Sequence, residues 1–412
     1  MSSEWTGTTI GEQLTLQRGF DITKATQQPG AVPVISSGGT NSNHSTAMVK
    51  GPGVVLGRKG IVGSVYFVKE DYWPHDTTLW VKDFHGNDEL FAYYFFLAKA
   101  KDLAQLDVGS ANPTLNRNHV HPIRVQFPPL YEQRLIGRLL GSLDDRITLL
   151  RETNATLEAI GQALFKSWFV DFDPVRTKAE GRQPEGMDAT TAALFPDSFE
   201  ESELGLVPKG WRVGTVSDLG EVICGKTPPT AHSENYGDDV PFITIPDMHG
   251  RLLVTSTNRS LSRLGADTQR KKYLPAGSIC VSCIATPGLV VRVTSVAQTN
   301  QQINSVVPFE RWGKSFPLFL LRRIGDAVRA GGSGGSVFHN LSKSGFEELK
   351  VLLVSEDLAQ RFDEIVEPLI TNILKNQRQS ETLTQLRDTL LPRLISGQLR
   401  LPDAEHLIEE AC

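Results

Sequence analysis

Cysteine is scarce, with 4 in 412 residues. That is too few for a disulfide framework and points to a reducing compartment. Cys280 and Cys283 form a CxxC, but no second pair or neighbouring His completes a tetrahedral metal set. Both cysteines fall in an apolar run, Ser278 to Ile284, that reads as a buried strand. No run of about 18 apolar residues offers a membrane span. The opening Met1-Ser2-Ser3-Glu4-Trp5 has neither the basic nor the apolar stretch of a secretory signal, so a cytoplasmic location without membrane contact is expected.

Catalytic constellations are also missing. Gly220-Glu-Val-Ile-Cys-Gly225-Lys226-Thr227 fits the phosphate-binding pattern G-x-x-x-x-G-K-[ST] letter for letter. Such a loop needs a helix to start at its Lys and Thr, whereas Pro228 and Pro229 follow at once and push the chain toward extended geometry. A methyltransferase would need a cofactor-binding strand and glycine turn with an Asn-Pro-Pro-aromatic loop. Asn112-Pro113-Thr114 and Phe127-Pro128-Pro129 each carry only part of that loop. His44, His75, His85, His119 and His121 are scattered and frame no triad or nuclease cluster. The chain therefore reads as a binding protein. A self-contained P-loop protein and a stand-alone DNA-binding regulator are the alternatives.

A net charge of -5 argues at first against a nucleic-acid partner, because Lys and Arg neutralise phosphates. The acids are unevenly placed. Asp197, Glu200, Glu201, Glu203, Asp403, Glu405, Glu409 and Glu410 occupy two stretches free of Lys and Arg. Without these eight the balance is about +3, which leaves room for local basic faces.

What the chain does contain is an internal repeat. Trp5, Ile10, Leu16 and Gly19 match Trp211, Val216, Val222 and Gly225 at an offset of 206. Val49 to Leu56 resembles Leu274 to Cys280 at 224, and Gly109-Ser110, Leu115, Arg117 and Val120 match Gly335-Ser336, Leu341, Lys343 and Phe346 at 226. From about Glu132 the punctuation by Gly and Pro gives way to helical spacing. Leu143, Ile147, Leu150, Asn154, Leu157, Gly161, Leu164 and Trp168 alternate steps of four and three, the seam of a coiled coil. The second copy supplies Leu369, Ile373, Asn376, Ser380, Leu383, Leu386, Leu390 and Leu394, with Arg387 interrupting the register. Singly, either stripe reads as a helix lying on its own domain. Two matching stripes predict that the helices pair with each other.

Candidate contact residues are polar and basic. Gly57-Arg58-Lys59-Gly60 places two cations on a tight loop, where flanking glycines let the backbone approach a phosphate. Ser37, Asn41, Asn43, Asn116, Arg117 and Asn118 supply hydroxyl, amide and guanidinium groups of the kind that bond base edges. The second half offers Arg270, Lys271, Lys272, Arg292 and Lys343.

Five stretches then bring a family into view: Gly57 to Gly60, Pro128-Pro-Leu-Tyr-Glu132-Gln133-Arg134, Phe165-Lys-Ser-Trp168-Phe169-Val-Asp-Phe-Asp173-Pro174, Pro208-Lys-Gly-Trp211, and Leu391-Pro-Arg-Leu-Ile395-Ser-Gly397. Along nearly its whole length the chain resembles the specificity subunits of Type I restriction-modification systems. The resemblance implies an α+β fold with two globular target-recognition domains, each followed by a long helix. The helices pair as an antiparallel coiled coil, giving a pseudo-twofold internal repeat. The expected layout is recognition domain 1–130, helix 131–172, linker 173–204, recognition domain 205–355, helix 356–402 and acidic tail 403–412. The resemblance also implies double-stranded DNA as ligand, one half of a split site per domain, and two modification subunits and restriction subunits as partners. S-adenosylmethionine, ATP and magnesium then belong to those partners, with no cofactor and no catalytic residue in this chain. The second half departs from the pattern at Leu358-Ala-Gln360-Arg361, where the first has Tyr131-Glu-Gln133-Arg134.

Overall fold

The computed structural model describes residues 5–106, 114–329 and 341–411. The matches at Gly109-Ser110 and Gly335-Ser336, and Asn112-Pro113, lie outside the described residues. The chain divides into two compact units. One comprises the residues up to Leu149 together with those from Gln379 onward, and the other runs from Leu150 to Arg378.

In the first unit, strands order as Thr15–Arg18, Thr78–Asp83, Gly53–Gly57 and Val65–Val68, all antiparallel. A smaller sheet holds Gly39–His44, Val32–Ser36 and Trp73–Pro74, and Thr6–Thr9 pairs with Arg124–Phe127. The helix Glu89–Ala104 covers the strands Gly53–Gly57 and Val65–Val68. Its start is fixed by Asp88, whose carboxylate accepts the Phe91 amide at 2.9 Å, and it buries Phe91, Tyr94, Phe95 and Phe96. Burying four such aromatics removes enough apolar surface from water to contribute about 1.5–3 kcal/mol each.

The second unit repeats this plan with an added strand. Gly220–Cys224, Ile303–Pro308, Ile279–Ser282, Val290–Val293 and Leu253–Val254 form its main sheet, and the helix Ser315–Arg329 packs on the strands Ile279–Ser282 and Val290–Val293. Arg212–Thr215 pairs with Lys350–Leu353, as Thr6–Thr9 pairs with Arg124–Phe127. Both halves also reuse a short helix opened by Thr, at Thr9 and Thr215, with the hydroxyl and an acidic side chain capping each other's amides.

Two helices of 40 residues, Leu130–Phe169 and Glu356–Ile395, carry the heptad stripes. Acids open both, Glu132 in one and Glu356 and Asp357 in the other, and Lys166 and Arg393 occupy their last turns, opposite in sign to the helix dipole. Within the second unit the pairing is antiparallel. Asn154 bonds Asn376 and the Ile373 carbonyl, while a turn or more later Phe165 meets Phe362 with ring centroids 5.8 Å apart. Gly161 lets this helix approach Phe319, whose ring carbon would lie 2.8 Å from an added Cβ. Within the first unit Asp144 accepts hydrogen bonds from Tyr94 and Arg387. Arg387 therefore interrupts the apolar register because it has a carboxylate to reach. Burial alone would lower its pKa, but hydrogen bonds to Asp144 and Asp388 hold it above the ordinary arginine value.

Three expectations need correction. Leu157, Leu164, Leu369 and Leu386 are only partly buried, and Val366 and Ile370 are the buried positions beside Ile373. The second helix also continues through exposed Pro368 and Pro392, although an interior proline costs about 3 kcal/mol, so tertiary packing outweighs propensity there. Residues 173–204 are not an open linker. They hold the helices Asp173–Ala179 and Ala189–Ala193 and most of a hairpin, and Val175 and Phe195 are buried in the aromatic core around Phe165, Trp168, Trp211 and Phe362. The acidic end is likewise a helix, Leu401–Ala411, with Ala404 fully buried.

Candidate nucleic-acid interface

The loop from Arg58 to Gly60 leaves the strand Gly53–Gly57 and is held from two sides. The amides of Arg58 and Lys59 both donate to the Thr77 carbonyl, at 2.8 and 3.0 Å. The Thr77 hydroxyl accepts the Ser37 amide at 3.3 Å, so one residue ties two predicted loops together. Gly60 has a φ of +82°, which favours glycine, and a Cβ there would lie 3.2 Å from the Ser37 hydroxyl. On the other side the Leu115 amide donates to the Arg58 carbonyl at 2.9 Å, and Lys59 pairs with Thr114. That contact draws Asn116 and Arg117 toward the basic loop.

The result is a cleft of about 520 Å³ lined by Gln17, Arg18, Arg58, Leu79, Asn116 and Arg117. Arg18 is held by Asp76 at 3.1 Å and Asp21 at 3.2 Å. Among the described residues no carboxylate forms an ion pair with Arg58 or Arg117. The Arg58 guanidinium donates a long hydrogen bond of 3.4 Å to the Asp76 carbonyl. Burial lowers the Arg58 pKa, and the Arg18 charge lowers it further. Both effects mean that Arg58 would gain from an added negative charge.

The other predicted residues scatter more widely. Ser37 is buried, its carbonyl taken by Ser64 and Tyr66, so its side chain is beside the loop more than on the surface. Asn41 donates to the Ser36 hydroxyl at 2.6 Å, and Asn43 is exposed on the strand Gly39–His44. Asn116 caps the short helix Arg117–Val120 by accepting the Asn118 amide, leaving Asn118 itself exposed. His121 is structural, since its Nε2 accepts the Leu16 amide at 2.9 Å.

In the second unit Arg270, Lys271 and Lys272 form a single turn, with Arg270 and Lys271 exposed, Lys272 half-buried, and Arg270 reaching Asp267 at 3.4 Å. Lys343 opens the helix Lys343–Glu347, in the place Arg117 takes in the first unit, and pairs with Glu347. Arg292 does not belong with these. Its guanidinium is 12% exposed and makes a two-pronged ion pair with Glu367, so it is a packing residue of the core and not a free cation.

The P-loop pattern is absent from the fold as such. Gly220–Cys224 is a strand paired with Ile303–Pro308, the Lys226 amide donates to the Thr299 carbonyl, and no helix starts at Lys226. Cys280 and Cys283 are both buried, and burial pushes their pKa values up to about 12 and about 11. Among the described residues no group of His, Cys, Asp and Glu is placed to hold a metal, and no helix is long and apolar enough to cross a membrane.

The family model for the Type I restriction modification DNA specificity domain matches twice, over residues 2–159 and 208–385. The chain belongs to that family. Among curated specificity subunits it is 38% identical over 327 residues to that of the Type I restriction enzyme HindI from Haemophilus influenzae, covering 70% of this chain and 71% of the relative. It is 25% identical over 323 residues to the MjaIX specificity subunit of Methanocaldococcus jannaschii, covering 76% and 69%. The crystal structure of a Type I restriction-modification S subunit from M. genitalium shares the fold, with a TM-score of 0.64 at 16% identity over 96% of both chains.

For a member of the specificity family the two matched regions are the two recognition domains, and the cleft at Arg58 lies in the first. Of the residues that line this cleft, the sequence named Arg58, Asn116 and Arg117 as candidates and did not point to Gln17 or Arg18. The missing signal is a pairing, because Arg18 reaches the cleft only through the register that sets it opposite Leu79.

Proposed function

We propose that the chain is the DNA-reading subunit of a Type I restriction-modification enzyme and that each unit reads one half of a split target. The observation that carries this is the duplicated fold, one strand-rich domain and one long helix per half, matched twice by a DNA specificity family. The catalytic work is assigned to partners: two modification subunits that use S-adenosylmethionine, and restriction subunits that use ATP and magnesium. In this reading the chain contributes recognition and scaffolding, in the cytoplasm.

The test is domain exchange. Residues 5–128 are replaced by the corresponding segment of a relative with a different target, and methylated bases are mapped in cells carrying the assembled enzyme. One half of the methylated motif is expected to change while the other is kept. A change in both halves would contradict the two-reader model.

A further inference from the structure

The two units build the same loop from different residues. In the first, the Gly63 amide donates to the Gly57 carbonyl at 3.0 Å and the Gly57 amide to the Ser64 carbonyl at 2.7 Å. In the second, Gly288 donates to Ser282 at 2.9 Å and Ser282 to Leu289 at 2.9 Å. Added Cβ atoms at Gly63 and Gly288 would each lie 2.6 Å from a carbonyl of the covering helix, that of Ala100 and of Gly325. Positive φ recurs too, +82° at Gly60 and +65° at Ala285. Strand register completes the match, since Arg18 faces Leu79 as Cys224 faces Asn304.

Position by position, Arg18, Arg58, Lys59 and Arg117 of the first unit correspond to Cys224, Cys283, Ile284 and Lys343 of the second. Four cations become one. Ser342, in the place of Asn116, caps its own helix, and the buried polar group there is Asn304, 3% exposed, whose Nδ2 contacts the Cys283 sulfur and the Leu341 carbonyl at 3.4 Å while its Oδ1 has no partner among the described residues. An unpaired amide oxygen favours a hydrogen-bond donor and repels an anion.

We infer that the cleft of the first unit is a site for an acceptor-rich group of duplex DNA, a backbone phosphate or the O6/N7 edge of a guanine, and that its counterpart in the second unit is not. This rests on the DNA-reading function proposed above. Among the described residues neither Arg58 nor Arg117 forms an ion pair with a carboxylate, the nearby Asp76 being bonded to Arg18, and Gln17 and Asn116 bring amides that can orient the ligand. The two equivalent loops therefore meet DNA with unequal electrostatics.

The experiment uses the full chain assembled with its modification subunits and measures affinity for target duplexes as salt is varied. Each of Arg58→Gln, Arg117→Gln and Lys343→Gln is compared with wild type, with thermal melting to confirm folding. A phosphate ligand predicts that each arginine variant flattens the slope of log affinity against log salt by about 0.9, on any sequence. A guanine ligand predicts little change in slope, but roughly tenfold to hundredfold less discrimination at one base pair of the first unit's half-site. Arg117→Lys separates the two, since it keeps a phosphate contact but loses the planar fork that reads guanine. If the folded arginine variants keep both slope and discrimination, the site is overturned. Equal flattening by Lys343→Gln would overturn the inequality between units. A wild-type complex that showed no sequence preference would bring down the DNA-reading function itself, and this inference with it.

Discussion

Asn376 donates its side-chain amide to Asn154 Oδ1 at 2.9 Å, and Asn154 in turn donates to the Ile373 carbonyl at 3.1 Å. Both residues sit in seams that are apolar apart from them and the buried Ser380. A polar pair at such positions costs stability relative to leucine and fixes one register, because any slip leaves an amide unpaired among hydrocarbons. Asn376→Ala is expected to destabilise by about 1 kcal/mol or somewhat more, since it strips the partner from a part-buried amide. The double change Asn154→Leu and Asn376→Leu is expected to raise the melting temperature while allowing alternative registers. Cysteine cross-linking across the helices would detect them as a spread of products, and a single product would contradict the registry role.

Arg292 and Glu367 give a prediction of the opposite sign to the one residue type alone suggests. Arg292→Ala leaves part-buried Glu367 with only the Ser315 hydroxyl in place of its cation and is expected to cost about 2–3 kcal/mol in denaturant unfolding, at or below the lower end for a buried pair. The salt slope of DNA binding should be unchanged. A flatter slope with an unaltered unfolding midpoint would return Arg292 to the DNA interface.

The free thiols of Cys280 and Cys283 offer a test by chemistry. Buried thiols with raised pKa values have almost no thiolate at pH 8, and thiolate is the nucleophile. Iodoacetamide at pH 8 is expected to spare both in the folded chain and to modify both in denaturant, as read by peptide mass spectrometry. Rapid labelling of either in the native protein would show that the strand is accessible.

Asp188 sets an acid limit. Its carboxylate accepts from the Thr191 hydroxyl and amide and faces Arg361, so its pKa lies well below the usual carboxylate range. A carboxylate depressed in the folded state stabilises above its unfolded pKa of about 4, and that contribution is lost as pH falls through the folded value. Asp188→Asn is expected to lower stability at neutral pH and to weaken the dependence on pH below about 4. Parallel pH profiles for the variant and the wild type would rule out the cap.

Local patterns were legible before the fold was known, and relations between distant segments were not. The stripe from Leu143 to Trp168 could be read from spacing because helix period is a local property. Its partner was misplaced by one position at Leu369, where Val366 and Ile370 turn inward, since Pro368 and a run of apolar residues blur the period. Arg58 and Arg117 carried visible chemistry, but nothing in sequence said that Thr77, Leu115 and the strand register would gather them with Arg18. The stretch 173–204 looked unstructured because helices of five to seven residues have too few positions to show a period. Its buried Val175 and Phe195 were anchored by residues far along the chain.

The first unit is not continuous in the chain. It closes only when residues from Gln379 onward join those up to Leu149, placing Arg387 beside Asp144 and Gly397 against the Trp5 ring. The second unit, by contrast, is one uninterrupted segment. During synthesis the domain made first must therefore wait with an exposed seam, including Leu143 and Ile147, until the residues from Gln379 onward are made. The domain encoded later can complete its own core first. A stop at codon 379 would thus spoil the first reader while leaving every residue of the second in place, so nonsense changes from there onward act on the early half of the protein.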